Sequence, residues 1–496
     1  MDFGMALLTV LRPLNLFFIT IGVLGGIVVG AIPGLTATLA ISLLIPFTFG
    51  MDPVPALIML IGIYCGGIYG GSITAILIHT PGTPGAAATE LDGYPLAQQG
   101  KAGKALGIAV IASFIGGTIS AVIMIFLSPI ISSWALKFSS AEYFSLALFG
   151  LTVIFSISEK SILKGTISGM FGLLLSTVGL DYIVPYARFT FGIDSLIIGF
   201  PILPAIIGLF AVTEVLRLFE KPDETIEVPK IRLKGVIPTW DETKKLIPIY
   251  LKSSLIGTFI GALPGTGANI ASFISYGEAR RCSKTPENFG TGMIEGVAAS
   301  EAANNAVTGG ALIPMLTLGI PGDAVTAVLL GALTIQGLQP GPLLFREHMD
   351  VINPLFSGLI VANIIMLLAG LFGAMLFARI ASLKRRFLIP LVAIFSLLGA
   401  FAAEGSFAHM LIAFGFGIVG YFLNRNGFPL APIALSLILG PIAETSFRTA
   451  LIRSQGSISI FFTRPISLVF IALSILSVLI VLIRRNVKIF KKKKNN

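Results

Sequence analysis

The chain has 496 residues, 55% of them hydrophobic and only 12% charged, whereas soluble domains carry roughly 25% charged residues, so a water-soluble globular protein is excluded. Its net charge of +10 arises from 34 basic against 24 acidic residues. Two cysteines, Cys65 and Cys282, supply neither a disulfide framework nor a metal cluster.

At ~20 apolar residues per helical span the chain has room for about 11–14 membrane segments. Asp2, a single Arg12 and the lack of a small-residue cleavage site ahead of a long apolar run argue against a removable signal peptide. Residues 15–51, 53–89 and 105–136 contain no Asp, Glu, Lys or Arg. These runs are far longer than ~10-residue barrel strands and lack their two-residue alternation. Helices are what remains, because backbone polar groups in lipid must be satisfied within the segment. The fold expected is an all-α, polytopic membrane protein, with 55 glycines and 28 prolines marking where helices break.

In chain order, the first break reads Ala31, Ile32, Pro33, Gly34, Leu35, Thr36, Ala37, Thr38, and the second reads Thr80, Pro81, Gly82, Thr83, Pro84, Gly85 after His79. Glu90 and Asp92 open a polar hairpin ending at Lys104, read as loop. Spans follow near 105–130, 143–157, 162–180 and 195–218. Residues 217–245 carry seven basic and six acidic side chains and form a linker too polar for lipid. Beyond it come a third break, Ala262, Leu263, Pro264, Gly265, Thr266, Gly267, Ala268, Asn269, and a fourth, Ile320, Pro321, Gly322, Asp323. Spans near 354–380, 387–402, 406–423, 428–443 and 466–483 complete the chain.

The breaks are duplicated. Gly30–Gly34 recurs as Gly261–Gly265; Gly70, Gly71, Pro81 and Gly82 recur as Gly309, Gly310, Pro321 and Gly322; Gly199, Phe200, Pro201, Pro204 and Glu214 recur as Gly427, Phe428, Pro429, Pro432 and Glu444. Three matches in one order define a first repeat (1–216), a linker (217–245), a second repeat (246–465) and a final helix with a basic tail (466–496). The tail holds Arg484, Arg485, Lys488 and Lys491–Lys494 directly after a span, which marks a cytoplasmic end and argues against nucleic acid as a partner. Counting back from linker and tail puts Lys101, Lys104, Lys160, Lys164, Lys384 and Arg425 inside, and Trp134–Glu142 and Asp181–Thr190 outside. Equivalent helices then run in opposite senses, an inverted repeat of the kind found in secondary transporters. The same count leaves Arg448, Arg453 and Arg464 outside.

Proline removes a backbone donor and glycine permits positive φ, so continuous helix stops at each break. The half-helix that restarts presents unpaired N–H groups and about half a positive charge, which favours carboxylates; the carbonyl end of the preceding half favours sodium. Candidate carboxylate contacts are Gly34, Thr36, Thr38, Thr80, Gly82, Thr83, Gly85, Gly265, Thr266, Gly267, Asn269, Asn304, Asn305, Gly322 and Asp323. Candidate sodium ligands are the carbonyls of Ala31, Pro33, Ala262 and Pro264, with Asp323. An intramembrane carboxylate is a functional hypothesis by default, yet Asp323 equally suits a helix N-cap. Asn304 and Asn305 could hold a ligand or bond neighbouring helices, and His79 reads as a packed, hydrogen-bonded histidine. No phosphate loop, nucleophile elbow, His-Glu-x-x-His pair or CxxC occurs. No catalytic residue or cofactor is therefore expected, and uphill movement has to draw on a sodium or proton gradient.

Gly30–Pro46, Tyr69–Gly85 with Asp92–Pro95 and Gly100–Ala102, Glu301–Gly322 and Gly337–Pro342 together resemble the large, TctA-like membrane subunit of the tripartite tricarboxylate transporters, over about residues 14–465. The resemblance implies a bacterial inner-membrane symporter, coupled to sodium or protons, that works with a small membrane subunit. It also implies that an extracytoplasmic solute-binding protein delivers carboxylates such as citrate. Asp323 departs from the small polar residue the family pattern leads one to expect after Pro321 and Gly322. The expected mechanism is alternating access, elevator-like, with a carboxylate at the half-helix starts around Thr36, Thr83, Thr266 and Gly322. A passive anion channel or a non-transporting membrane scaffold is the alternative.

Overall fold

A computed structural model describes residues 3–156, 161–181, 183–220, 236–381, 385–402 and 405–494. Lys160, Lys384 and linker residues 221–235 lie outside the described residues, as do the basic side chains of the tail.

The first half opens with α1 (Phe3–Val10) and α2 (Pro13–Ala31). Pro13 sits at the first helical position of α2, where its missing N–H has no partner to lose. After the first break comes the short α3 (Ala37–Leu44), which starts at Thr36, whose Oγ1 accepts from Leu39 N at 3.3 Å. Helix α4 (Pro53–Ile78) ends at His79 in the left-handed region, φ 54°. Helices α5 (Ala87–Leu96), α6 (Ala102–Ala135), α7 (Ser140–Ser156) and α8 (Ile162–Ser176) follow, then a ribbon of two residues per strand, β1 (Gly179–Leu180) and β2 (Ala187–Arg188). Helix α9 (Ile202–Ile206) runs through a wider turn, Ile207–Val212, into α10 (Thr213–Leu218).

The second half repeats this order: α11 (Trp240–Gly261), a break, α12 (Gly267–Cys282), α13 (Ile294–Leu318), a break, α14 (Ala324–Ile335), α15 (Leu344–Glu347), α16 (Met349–Ala381), α17 (Arg385–Ala402), α18 (Phe407–Arg425) and α19 (Ala431–Arg453). Helices α20 (Ile460–Thr463) and α21 (Pro465–Lys494) close the chain. Among the described residues six helical runs are long and apolar enough to cross a membrane, and five shorter apolar helices accompany them. The protein is an all-α polytopic membrane protein, as its sequence predicts.

The recurring glycines make matching contacts. Gly26 and Gly30 of α2 let its backbone approach Ile63 and Gly67 of α4 so closely that a Cβ would collide; Gly257 and Gly261 of α11 do the same against Ala303 and Val307 of α13. Gly70 sits on Ile27 as Gly310 sits on Thr258. This corrects the sequence register by one residue, because Gly71 then corresponds to Ala311, while Gly309 faces Ser120 of α6. Between the halves the helices exchange partners reciprocally: α6 lies on α13 and α16 on α4, and α7 and α8 lie on α19 while α17 and α18 lie on the 202–218 run.

Loops expected on one side of the membrane meet each other. Lys104 pairs with Glu242, and Lys164 Nζ donates to Asn426 O at 2.5 Å. At the other end Arg464 pairs with Glu142, and Arg448 with Asp181 and with Glu444 at 3.1 Å. Two of the arginines left outside by the charge count are thus neutralised by local acids. Three boundaries differ from expectation. The helix placed at 195–218 starts only at Ile202, since Gly199 takes φ 83° and Pro201 precedes the first turn. Helix α19 runs on to Arg453 rather than stopping near 443. Asp92 lies in α5, not in a loop, and is fully buried; its Oδ1 accepts from Gly290, Gly292 and Met293 N at 2.8–2.9 Å and its Oδ2 from Tyr276 Oη at 2.9 Å. His79 is exposed rather than packed in a core, stacked on Tyr94 with its Nδ1 2.9 Å from Glu90.

Candidate functional site

All four breaks reach one cavity of about 430 Å³. Residues 36–38 come from the start of α3, 83–85 from the turn before α5, 265–270 from the start of α12, and 323–325 from the start of α14. A fifth helix start, Gly427–Pro432 at the head of α19, closes the opposite wall with Phe210. The first turn of a helix has N–H groups without intrahelical partners, so five helix starts bring backbone donors to a wall that carries Asp323 and no Lys, Arg or His.

The two proline-glycine turns that shape it are alike: Gly34 takes φ 96° and Gly265 φ 80°, a left-handed conformation that costs an ordinary residue ~1–2 kcal/mol. Gly265 N donates to Gly322 O at 2.7 Å, tying the third break to the fourth. Gly82 N donates to Gly71 O at 3.1 Å, and a side chain on Gly82 would strike the backbone of Gly30. Glycine at these points permits the breaks to touch.

Of the residues singled out in the sequence, Thr36, Thr38, Thr83, Gly85, Gly265, Thr266, Gly267, Asn269 and Asp323 line the cavity. Gly34, Gly82 and Gly322 stand behind it as turn and contact residues, and Ala31, Pro33, Ala262 and Pro264 are likewise outside its lining. Thr80 is exposed at the end of α4, with Oγ1 donating to Ile78 O at 3.2 Å. Asn305 Nδ2 donates to Ser113 Oγ of α6 at 2.7 Å, away from the lining. Asn304 is buried behind Gly85, close enough that a Cβ there would overlap its Oδ1.

Asp323 lines the cavity, but its oxygens are engaged. Oδ1 accepts from Thr326 N at 2.8 Å while Asp323 N donates to Thr326 Oγ1 at 2.9 Å, a reciprocal cap on α14. Oδ2 accepts from Tyr64 Oη of α4 at 2.6 Å. Thr36 Oγ1 is likewise spent on its own helix start, and Thr266 Oγ1 donates to the carbonyls of Ile260 and Leu263.

Two groups were missed by sequence reasoning. The 427–432 wall was legible as the third duplicated match, which gave register but not position. Glu301 of α13 is fully buried: Thr89 Oγ1 and Asn304 Nδ2, the latter at 3.4 Å, donate to Oε1, and Ser113 Oγ donates to Oε2 at 2.9 Å. Its spacing of three and four residues from Asn304 and Asn305 puts the three on one helix face, the signal that could have found it.

A polytopic helical membrane protein whose interrupted helices bring their starts to one cavity belongs to the transporters by class. The chain matches the Tripartite tricarboxylate transporter TctA family over residues 16–435, and it belongs to that family. It is therefore the membrane component of a tripartite tricarboxylate transporter. It is 37% identical over 485 residues to an Agrobacterium vitis protein described as "Uncharacterized 52.8 kDa protein in TAR-I ttuC' 3'region", covering 96% of this chain and 94% of that one. A second A. vitis protein, "Uncharacterized protein in TAR-II ttuC' 3'region", is 35% identical over 227 residues, covering 46% of this chain and 94% of its own length. No solved structure matches the chain.

Proposed function

We propose that the chain imports a small di- or tricarboxylate by cation symport, receiving it from an extracytoplasmic binding protein and working beside a small membrane subunit in a bacterial inner membrane. The observation that carries this reading is the meeting of five helix starts on one cavity with no basic side chain in its wall. Backbone dipoles and hydroxyls hold an anion there without a fixed counter-charge. Drawing a trianion inward against 100 mV, negative inside, costs about 7 kcal/mol at ~2.3 kcal/mol per charge. Co-transported cations offset that cost, which is why symport is favoured over passive flow.

Opposed orientation of the halves gives the reciprocal helix exchange a purpose, since each half supplies two of the four breaks. An elevator-like step is supported by a second cavity of about 530 Å³, which touches Gly319 and Leu330 on one side and Pro441 and Ile442 of α19 on the other. The first cavity touches α19 at Ala431, Pro432 and Leu435. The two contacts are centred about three turns apart, roughly 16 Å at 1.5 Å per residue. A core that carries the breaks and slides that far along α19 would exchange one opening for the other. Proteoliposomes containing the chain, its small subunit and its binding protein test the reading: citrate should accumulate under an inward sodium or proton gradient and not without one. Accumulation that survives collapse of both gradients, or currents without accumulation, refutes it.

A further inference from the structure

The register set by the glycine contacts makes Asn304 of α13 the counterpart of Tyr64 of α4, and Thr83 at the second break the counterpart of Asp323 at the fourth. The two positions are filled in opposite ways. At the fourth break Tyr64 and Asp323 saturate each other. At the second, Asn304 Oδ1 and Thr83 Oγ1 are both buried and neither has a hydrogen-bond partner. Asn305 Oδ1, one residue on, is also buried and unpartnered. Asn304 Nδ2 donates to Glu301 Oε1, Asn305 reaches Glu301 through Ser113, and Thr83 stands two residues before Gly85, where a Cβ would overlap Asn304 Oδ1; Glu301 itself is a carboxylate fully buried among Thr89, Ser113 and Asn304 donors, with no ion pair to it among the described residues.

Donated hydrogen bonds satisfy a carboxylate's lone pairs but bring no net charge, and an isolated buried carboxylate is prohibitively costly in apolar surroundings. A buried oxygen left unpaired costs a further ~1–3 kcal/mol. A proton on Glu301 would neutralise the acid and leave the oxygens of Asn304, Asn305 and Thr83 as they are. A small desolvated cation answers both needs at once, because it supplies charge and accepts oxygen ligands from every direction.

We propose that Glu301, Asn304 and Thr83, with Asn305 behind them, form a site for one sodium ion. It lies behind the 83–85 wall of the cavity. Thr83 belongs both to this cluster and to the cavity lining, so an ion here places positive charge next to a bound carboxylate and couples the two ligands without a bridging base. The site is single: the counterpart of Glu301 in the first half is Ile61. The inference rests on the transporter reading above and names its coupling ion.

The test uses the full-length protein in lipid nanodiscs, with radioactive sodium binding measured by scintillation proximity in choline chloride. Wild type should bind sodium saturably, and Glu301→Gln, which keeps size and loses charge, should weaken binding at least tenfold. Asn304→Ala provides the second variant if Glu301→Gln does not elute as a single species, and it should also weaken binding at least tenfold. Wild-type affinity in both variants overturns the site. A wild-type protein that binds no sodium, yet accumulates citrate under a pH gradient, overturns the sodium site and leaves symport standing. Absence of sodium binding together with absence of accumulation under any gradient overturns both.

Discussion

Removing the Tyr64 hydroxyl gives the most direct reading of what Asp323 does. The pair joins α4 of one half to the start of α14 in the other at 2.6 Å, and both side chains are buried. Tyr64→Phe leaves Asp323 Oδ2 without its donor, a loss of about 1–3 kcal/mol for a buried acceptor. Asp323→Ala strands the Tyr64 hydroxyl at a similar cost and removes the cap on Thr326 N, worth ~1 kcal/mol more. The double variant loses the shared contact only once, so its destabilisation should fall short of the sum of the single changes by roughly 1–3 kcal/mol. Denaturant unfolding of the four proteins in one detergent, followed by tyrosine and tryptophan fluorescence, supplies the cycle. Additive effects would show that the contact is not formed. Asp323→Asn keeps the Oδ1 acceptor and the shape, so it should retain the sodium dependence of uptake; loss of that dependence would move the ion from Glu301 to Asp323 and refute the division of roles argued here.

Three further outcomes follow from the same geometry. Gly265→Leu and Gly34→Leu each put a side chain where φ is 80° and 96°, which adds ~1–2 kcal/mol of strain; both should abolish uptake while the protein still inserts, and wild-type rates would discard the site. Gly85→Val should displace Asn304, against which even one methyl has no room, and weaken sodium and citrate binding together; a change in citrate binding alone would separate the two sites. The Asp181 carboxylate, outside the spans, is held well below the usual carboxylate range by Val184 N–H, the Arg448 guanidinium and Ile183 N–H. A depressed value stabilises the folded loop above its unfolded-state pKa of ~3.9 and gives that up only as pH falls through the lower folded value. Hydrogen-exchange protection factors of residues 183–188, corrected for the intrinsic pH dependence of exchange, should therefore be unchanged from pH 7 to pH 5, whereas a fall in protection across that window would contradict the pairing.

The four breaks were legible because proline and glycine act locally: the same residues that stop a helix in a peptide stop it in the fold, and their recurrence announced that they belong together. Asp92 was not legible. Its sequence neighbourhood is polar, and only the arrival of Gly290, Gly292 and Met293 from the other half turns a loop-like carboxylate into the buried anchor of the turn before α13. Glu301 was hidden for the opposite reason, standing at the edge of an apolar run where it reads as the last charge before a span. The misplaced start of α9 reflects hydropathy outlasting helix: residues 195–201 are apolar enough for a span, but Gly199 and Pro201 set a backbone that cannot begin one.

The chemistry of the chamber also explains why its acids are arranged as they are. On the proposed reading, a wall built of helix starts binds anions through many weak, fixed dipoles, so no single group has to let go for release. Such a wall cannot by itself balance the charge of the cargo. On the symport reading proposed above, the balance arrives with a mobile cation, and that cation needs a negative group near the chamber but not inside it, where the group would repel the substrate. Glu301 meets the condition, being buried one layer behind Gly85 and outside the lining. Asp323, which does face the chamber, is occupied by Tyr64 and Thr326. On that reading the placement of the two carboxylates follows from one requirement, that charge enter and leave the site only in company with its counter-ion.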